Sequence, residues 1–526
     1  MTRTSKLLVV PIGLLSLAFF LTVARNRLID PDEGYYILAS RLVFQHKMPY
    51  RDFLYTQTPL LPYVYGLWMQ LGGISWASAR SLSVGFTDVL SILLYIQISS
   101  QTRRWAVGVL GVLLFASSTL IFGWMPIVKT YALSSVLLFS CYMIVTRFSA
   151  GSPRWLFSVA GLLLGLSVEV RLYFIGLLPI FLLWVFRNRE ICRKRAALFC
   201  FTAGFLIAIL PSAYFAIFHW NVFLFNIIGI HAIRSDYDLI GSLGQKFWTF
   251  LGALLVGRTG NGFQLGVLLL ISLVLIGKKT MTDAGRLAFQ IAIALGFICF
   301  LPTPTYVQYL SVIIPFLIMC VAYSLPSLFT SWDGKRRPKV VFALICTMLI
   351  YLAIPVTDYT RYFGVGPHTI IPSPSESRAD REIERVRMVS RTIKALVHPG
   401  ETVVSFWPGY IVESTATPYS GLECDTGITF SAKLSPEQLA AYHIASRGQI
   451  EDAIRSRIPR IVVLGNQEYW QQSRQPYIRV LASAGYVVAR QIGGAFVYLK
   501  SDVTAAHSVN GSTQTTIRPT AHYGMS

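Results

Sequence analysis

Three carboxylates fall within four residues in LIDPDEGYY, Leu28 to Tyr36, directly after an apolar run. Helix capping accounts for two of them. Asp30 has the identity of an N-cap, Pro31 is the residue favoured at N1, and Glu33 is an N3 acid that can reach back to the N-cap amide. Asp32 has no such partner, and two readings of it stay open. It is either one more first-turn acid, stabilised by the helix dipole by about 0.3 kcal/mol or a little more, or a carboxylate free to exchange a proton with a ligand. Other chemistries lack their residues. Cys141, Cys192, Cys200, Cys299, Cys320, Cys346 and Cys424 lie mostly in or beside apolar runs, with no C-x-x-C pair and no Cys/His cluster. Neither a zinc site nor a disulfide framework is therefore expected. No G-x-G-x-x-G or P-loop pattern is present, so a nucleotide site has no support.

The elements that must position these acids follow from composition. The 526 residues are 54% hydrophobic and 13% charged, with a mean hydropathy of +0.54. That is too apolar for a soluble multidomain protein and indicates a polytopic α-helical membrane protein. The net charge of +21 does not point to nucleic acid, because Lys and Arg sit in short clusters between apolar segments rather than on one amphipathic face. A span needs about 20 apolar residues, and about eleven segments qualify. They lie near 7–24, 76–99, 105–122, 131–148, 155–169, 172–186, 196–218, 262–277, 286–301, 307–325 and 339–356. The first, preceded by Arg3 and Lys6, lacks a small-x-small cleavage site and reads as an uncleaved span. Basic clusters occupy every second connection, which predicts a cytoplasmic N-terminus. The connections 25–75, 123–130, 170–171, 219–261 and 302–306 then face outward, with everything after Pro355.

Residues 1–356 thus read as a membrane domain. Its first outer loop, 25–75, is amphipathic, and two surface helices are expected, Glu33 to Gln45 and Leu60 to Met69. From 357 the pattern changes. Strands starting at Val403, Ile461, Tyr486 and Ala495 alternate with helical stretches such as Pro436 to Ser446 and Gln449 to Arg457. This predicts a small α/β domain outside the membrane over 357–500. The Ser/Thr/Gly-rich segment 501–526 is expected to be a disordered tail.

DEGYY after the first span, PYRDF from Pro49 to Phe53, and TPLLPY from Thr58 to Tyr63 together resemble the opening of the membrane-embedded GT-C glycosyltransferases. The nearest branch groups the protein O-mannosyltransferases, the lipid A aminoarabinose transferase and the bacterial transferases that decorate lipopolysaccharide core. The resemblance spans the membrane region. It implies a multi-pass protein of the bacterial inner membrane with a periplasmic C-terminal domain. Its activity would be inverting transfer of a sugar from a polyprenyl-phosphate carrier to a lipid, glycan or protein acceptor. Because the phosphate is already a competent leaving group, one carboxylate suffices, as general base toward the acceptor hydroxyl. The family's catalytic aspartate maps onto Asp32. Glu33, Tyr35, Asp52 and Gln57 are then candidate contacts to the sugar or acceptor.

The leaving phosphate calls for cations, and Arg51, Lys129 and Arg171 are the candidates. Arg171 can alternatively pair with Glu169 or reach lipid headgroups. The chain departs from the aminoarabinose branch where that branch has Glu-Lys-Pro-Pro-Leu, since Thr56-Gln57-Thr58-Pro59-Leu60 stands here. The branch's lysine and acid are thereby lost, and an arginine that it carries soon after Asp-Glu is replaced by Tyr35. A divalent metal at the site is therefore possible but not supported, the donor sugar is not named by the resemblance, and the lipid-linked sugar is expected as donor substrate rather than as a cofactor. Asp88, inside the second span, is costly unless hydrogen-bonded to a neighbouring helix. His231, Arg234, Asp236 and Asp238 read as a solvated outer loop, and Thr305 to Tyr309 as an aromatic belt. A transporter or flippase would show two related halves, and no internal repeat is present. A non-catalytic scaffold leaves the first loop without a purpose. An oligosaccharide ligase remains the alternative within glycan chemistry.

Overall fold

The computed structural model describes residues 1–149, 151–234, 238–252, 254, 261–277, 281–331, 342–343, 345–353, 381–465 and 474–501. The composition switch near 357 and the tail after 501 fall outside them, as does the whole basic cluster at 335–339. Apolar helices dominate up to residue 353. Four of them are long and apolar enough to cross a bilayer, Arg3–Asn26, Trp76–Thr102, Asp283–Phe300 and Val307–Leu325. Lys194–Ala208 and Leu210–Phe218 meet at a bend of 59° and together make a fifth. Pro211, at the start of the second helix, supplies the cause, since its ring cannot continue the preceding ladder.

The remaining apolar helices run 10–17 residues, short of the full-length spans expected from the apolar runs. Local backbone explains part of this. A 3-10 segment, Leu172–Leu177, precedes the helix Leu178–Arg187, and a π-turn, Phe225–Gly229, interrupts the chain between Trp220 and Ile233. Such turns shorten a regular helix without ending the apolar run.

The C-terminal residues build a mixed five-stranded sheet from β1 (Thr402–Ser405), β2 (Thr417–Pro418), β3 (Ile461–Leu464), β4 (Tyr486–Ile492) and β5 (Ala495–Lys500). The order is β2-β1-β3-β5-β4. Strand β1 runs parallel to β2 and β3, while β5 is antiparallel to β3 and β4. Four strands lie where the sequence places them. The two-residue β2 is too short to show a period.

Two hydrophobic cores divide the molecule. One is made of the apolar helices alone. The other joins the first-loop helices to the sheet, combining Tyr35, Ile37, Leu38, Tyr50, Phe53 and Leu61 with Val403, Trp407, Ile411, Ile428 and Val462. The first loop and the C-terminal unit therefore fold against each other. Polar contacts follow the same seam: Arg41 is buried and donates to the carbonyls of Ile411, Ser414 and Ala416, each at 2.8 Å. Trp407 Nε1 donates to the carbonyl of Pro31 at 2.8 Å. Gly34 and Gly409 bring the two backbones together, for a Cβ on Gly34 would lie 2.6 Å from both Cα and N of Gly409.

Candidate active site

The helix Pro31–Val43 begins as its sequence requires. Asp30 is extended (φ −83°, ψ 141°) and accepts from the Asp32 amide at 3.1 Å, while Glu33 Oε1 accepts from the Asp30 amide at 2.8 Å. Glu33 is fully buried, and its carboxylate is occupied on both oxygens by Arg80, at 2.6 and 2.8 Å, with a further bond from the Val128 amide at 3.2 Å. Arg80 also donates to the carbonyls of Ala24 and Arg27, both at 2.7 Å. Glu33 therefore clamps the end of the first span to the helix Trp76–Thr102. This burial takes it away from a ligand and makes it a structural acid, in contrast to its expected place at the sugar or acceptor.

Asp30 and Asp32 share Lys129, whose Nζ lies 2.7 Å from Asp30 Oδ1 and 2.9 Å from Asp32 Oδ2. Burial pushes the Asp30 carboxyl up, but Lys129, helped by Arg27 and Arg381, outweighs it and holds the group below its ordinary value. Burial likewise opposes the charge on Lys129, and the two carboxylates overcome it, holding the ammonium well above the ordinary lysine value. The two acids differ in access. The Asp30 side chain is 9% exposed and that of Asp32 is 50% exposed, so of the two only Asp32 is open to the cavity.

Asp32 and Lys129 open onto a cavity. Tyr35, Tyr36, Thr56 and Gln57 line it from the first loop, and Thr130 and Tyr131 from the segment after Lys129. Arg171 and Tyr173 line it from the next turn, with Ile230, His231 and Arg234, then Pro302 and Tyr309. Thr426, from the C-terminal unit, completes the wall. The Tyr35 hydroxyl accepts from the Thr56 amide at 2.7 Å and so fixes the loop that carries Gln57. Tyr50 holds the other side of that loop through its hydroxyl, which donates to the Gln57 carbonyl at 2.5 Å. It does so from a left-handed backbone (φ 67°), a conformation that costs on the order of 1–3 kcal/mol and that its complete burial sustains.

Arg171 is buried and packs over the rings of Tyr131 and Tyr309, at 4.8 and 5.4 Å. It bonds Thr130 Oγ1 at 3.3 Å rather than Glu169, which accepts instead from the Ser212 amide. Arg234 reaches the Tyr306 hydroxyl at 3.3 Å. Among the described residues neither guanidinium is in a salt bridge. Lys129 offsets one of the two acids, which leaves one negative charge facing two guanidiniums. Such a cavity suits a ligand that carries both a phosphate and a hydroxyl. Among the described residues no group of three His, Cys, Asp or Glu side chains converges as metal ligands.

Of the residues singled out from sequence, Asp32, Lys129, Arg171, Tyr35 and Gln57 meet in this cavity. Arg51 and Asp52 do not. They pair with each other at 2.8 Å at the exposed tip of the loop, and Asp52 also accepts from the Met48 amide. Asp88 is bonded by Ser16 of the first span, the neighbouring-helix partner that an intramembrane acid needs. Asp238 caps the helix Leu239–Leu251, and Asp236 lies outside the described residues. His231 and Arg234, expected in a solvated loop, and Tyr309, expected in an aromatic belt, line the cavity instead. Arg80 and Thr426 went unnoticed in the sequence. An arginine inside an apolar run is the signal that could have flagged Arg80; nothing local marks Thr426.

No protein-family model and no curated protein sequence matches the chain. Solved structures do. ArnT from Cupriavidus metallidurans bound to undecaprenyl phosphate superposes with a TM-score of 0.63 at 13% identity, over 96% of this chain and 99% of that one. Its apo form gives 0.61 at 12% identity, over 95% and 99%. The chain therefore shares the fold of these ArnT structures over nearly its whole length.

Proposed function

We propose that the protein transfers a sugar from a polyprenyl-phosphate carrier to an acceptor hydroxyl at the outer face of a bacterial inner membrane. The observation that carries this reading is a half-exposed carboxylate, Asp32, anchored by a buried lysine in one cavity with two guanidiniums that form no salt bridge among the described residues. In this reading Arg171 and Arg234 hold the donor phosphate and take up the charge that develops as it leaves. Asp32 accepts the proton of the attacking hydroxyl, and Lys129 holds its carboxylate in place. Attack opposite the leaving phosphate inverts the sugar carbon.

A second cavity of about 370 Å³ supports the lipid part of the reading. It is almost wholly apolar and is lined by Leu265, Ala292, Phe297 and Leu310, the last adjacent in sequence to Tyr309. An isoprenoid chain is its natural occupant. The ArnT structure that shares this fold was solved with undecaprenyl phosphate bound. The acceptor is a lipid, glycan or protein.

The test is transfer of radiolabelled sugar from a panel of synthetic polyprenyl-phosphate sugars to membrane lipid extract. Asp32→Asn, checked for folding by gel filtration, is expected to lose about 10²- to 10⁴-fold in rate, the usual worth of a general base. Full activity in that variant would sink the proposed role of Asp32.

A further inference from the structure

The wall around Asp32 is rich in cations and poor in acids. Lys129, Arg171 and Arg234 line the cavity, and among its described lining residues Asp32 is the one carboxylate. Its Oδ2 is taken by Lys129 at 2.9 Å, whereas Oδ1 has no hydrogen bond among the described residues. The acids nearby are committed elsewhere and do not line the cavity. Asp30 lies 2.7 Å from the same ammonium, Glu33 is held by Arg80, and Glu169 accepts from the Ser212 amide. Asp425 accepts from the Thr426 amide. His231, which does line the cavity, adds no negative charge in either protonation state.

We propose that this distribution of charge selects the donor by class: the transferred sugar carries hydroxyls and no free amine. The inference rests on the transfer reading above and names the substrate class of that same site.

An ammonium that leaves water needs an acid to pair with. The donor phosphate cannot fill that need while the two guanidiniums hold it, and both guanidiniums and Lys129 repel a further cation. The remaining partner is Asp32 Oδ1. An amine that took it would occupy the oxygen required for the acceptor's proton, so even a bound amino sugar would sit unproductively. Hydroxyls meet no such conflict. Gln57 is fixed through its backbone carbonyl, and its side-chain amide, without a partner among the described residues, offers both a donor and an acceptor to a neutral ring. Thr56 and Thr426 add hydroxyls to the same wall, and those can also act either way.

The experiment uses the full chain in detergent and pairs of synthetic undecaprenyl-phosphate sugars that differ in one group, a ring hydroxyl in one and an amine in the other. It is run at about pH 6.5, where the amine is protonated. Transfer to membrane lipid extract gives kcat/KM, and displacement of radiolabelled undecaprenyl phosphate gives binding. The hydroxyl member of a pair is expected to be transferred about 100-fold better, the scale on which juxtaposed like charges discriminate. Thr56→Glu, which sets a second acid in the wall, is expected to narrow that gap about tenfold. Equal or better transfer of the amino member overturns the proposal even if the variant does not fold, and a folded Thr56→Glu protein with the full gap overturns its electrostatic cause. If no sugar of any pair is transferred, the transfer reading fails and displacement decides the rest: hydroxyl members ahead by about tenfold uphold the preference as a property of the cavity, and parity overturns it. If transfer occurs without discrimination, the transfer reading stands and the amine exclusion alone fails.

Discussion

Lys129→Met removes a cation that sits within 2.7 Å of Asp30 and 2.9 Å of Asp32. In the wild type Asp30 is held below its unfolded value of about 4, so its contribution to stability is present above that value and is lost as the pH falls through the lower folded one. Without Lys129 the sign reverses. Burial then raises the folded value above the unfolded one, so Asp30 destabilises at neutral pH, and the penalty lifts as acid protonates it. Removing one partner of a buried pair costs about 3–5 kcal/mol. At about 2 °C per kcal/mol, the low end appropriate to a long chain, the apparent Tm should fall by roughly 6–10 °C at neutral pH. The assay is thermal unfolding in detergent at one scan rate, at about pH 7.5 and about pH 5, where the gap to wild type should narrow. The double variant Asp30→Asn with Lys129→Met should recover most of the loss, because Asn still caps a helix and no charge is left buried. A Lys129→Met protein with wild-type Tm, or a gap that does not change with pH, refutes this reasoning. Unchanged stability with only a higher KM for the donor would make Lys129 a phosphate ligand rather than the anchor of Asp32.

Arg80→Met should cost about 3–5 kcal/mol, since it strands the buried Glu33 carboxylate, and should appear as loss of the monodisperse peak on gel filtration. Arg171→Gln should keep the fold and lower transfer about tenfold or more, with donor KM rising; unchanged kinetics would remove Arg171 from the phosphate site. Arg51→Ala and Asp52→Ala disrupt a pair whose side chains are 49% and 29% exposed, so each should stay within about 1 kcal/mol of wild type and transfer at the wild-type rate. A clear loss of activity in either would return the loop tip to the site. Gly409→Ala should destabilise by about 1–3 kcal/mol in thermal unfolding, because the new Cβ would meet the Trp407 ring at 2.3 Å.

Local chemistry was readable in the sequence wherever both partners stand a few residues apart. Asp30, Pro31 and Glu33 announce a capping box, and a capping box is what they form. Strands of four or more residues show their apolar runs, whereas Thr417–Pro418 cannot. Glu33 was half legible: its cap role is local, but Arg80, which decides that it faces inward, lies 47 residues on. Arg234 and Tyr309 looked like loop and belt residues because exposure, not identity, separates those roles from a cavity wall. Thr426 reaches the cavity through the core shared by the first loop and the sheet, a contact that no period or spacing encodes.

The glycine pair at positions 34 and 409 also bears on how the site works in motion. Where two backbones meet with no side chain between them, and Arg41 ties the seam to three carbonyls, little is left to slide. The acid-bearing helix and the C-terminal unit should then move as one body. Ile230, His231, Arg234 and Tyr309 form the facing wall of the cavity, and displacement of that wall is the expected route of substrate entry. A cross-link across the glycine seam should leave turnover intact, and one tying Arg234 to Thr426 should stop it.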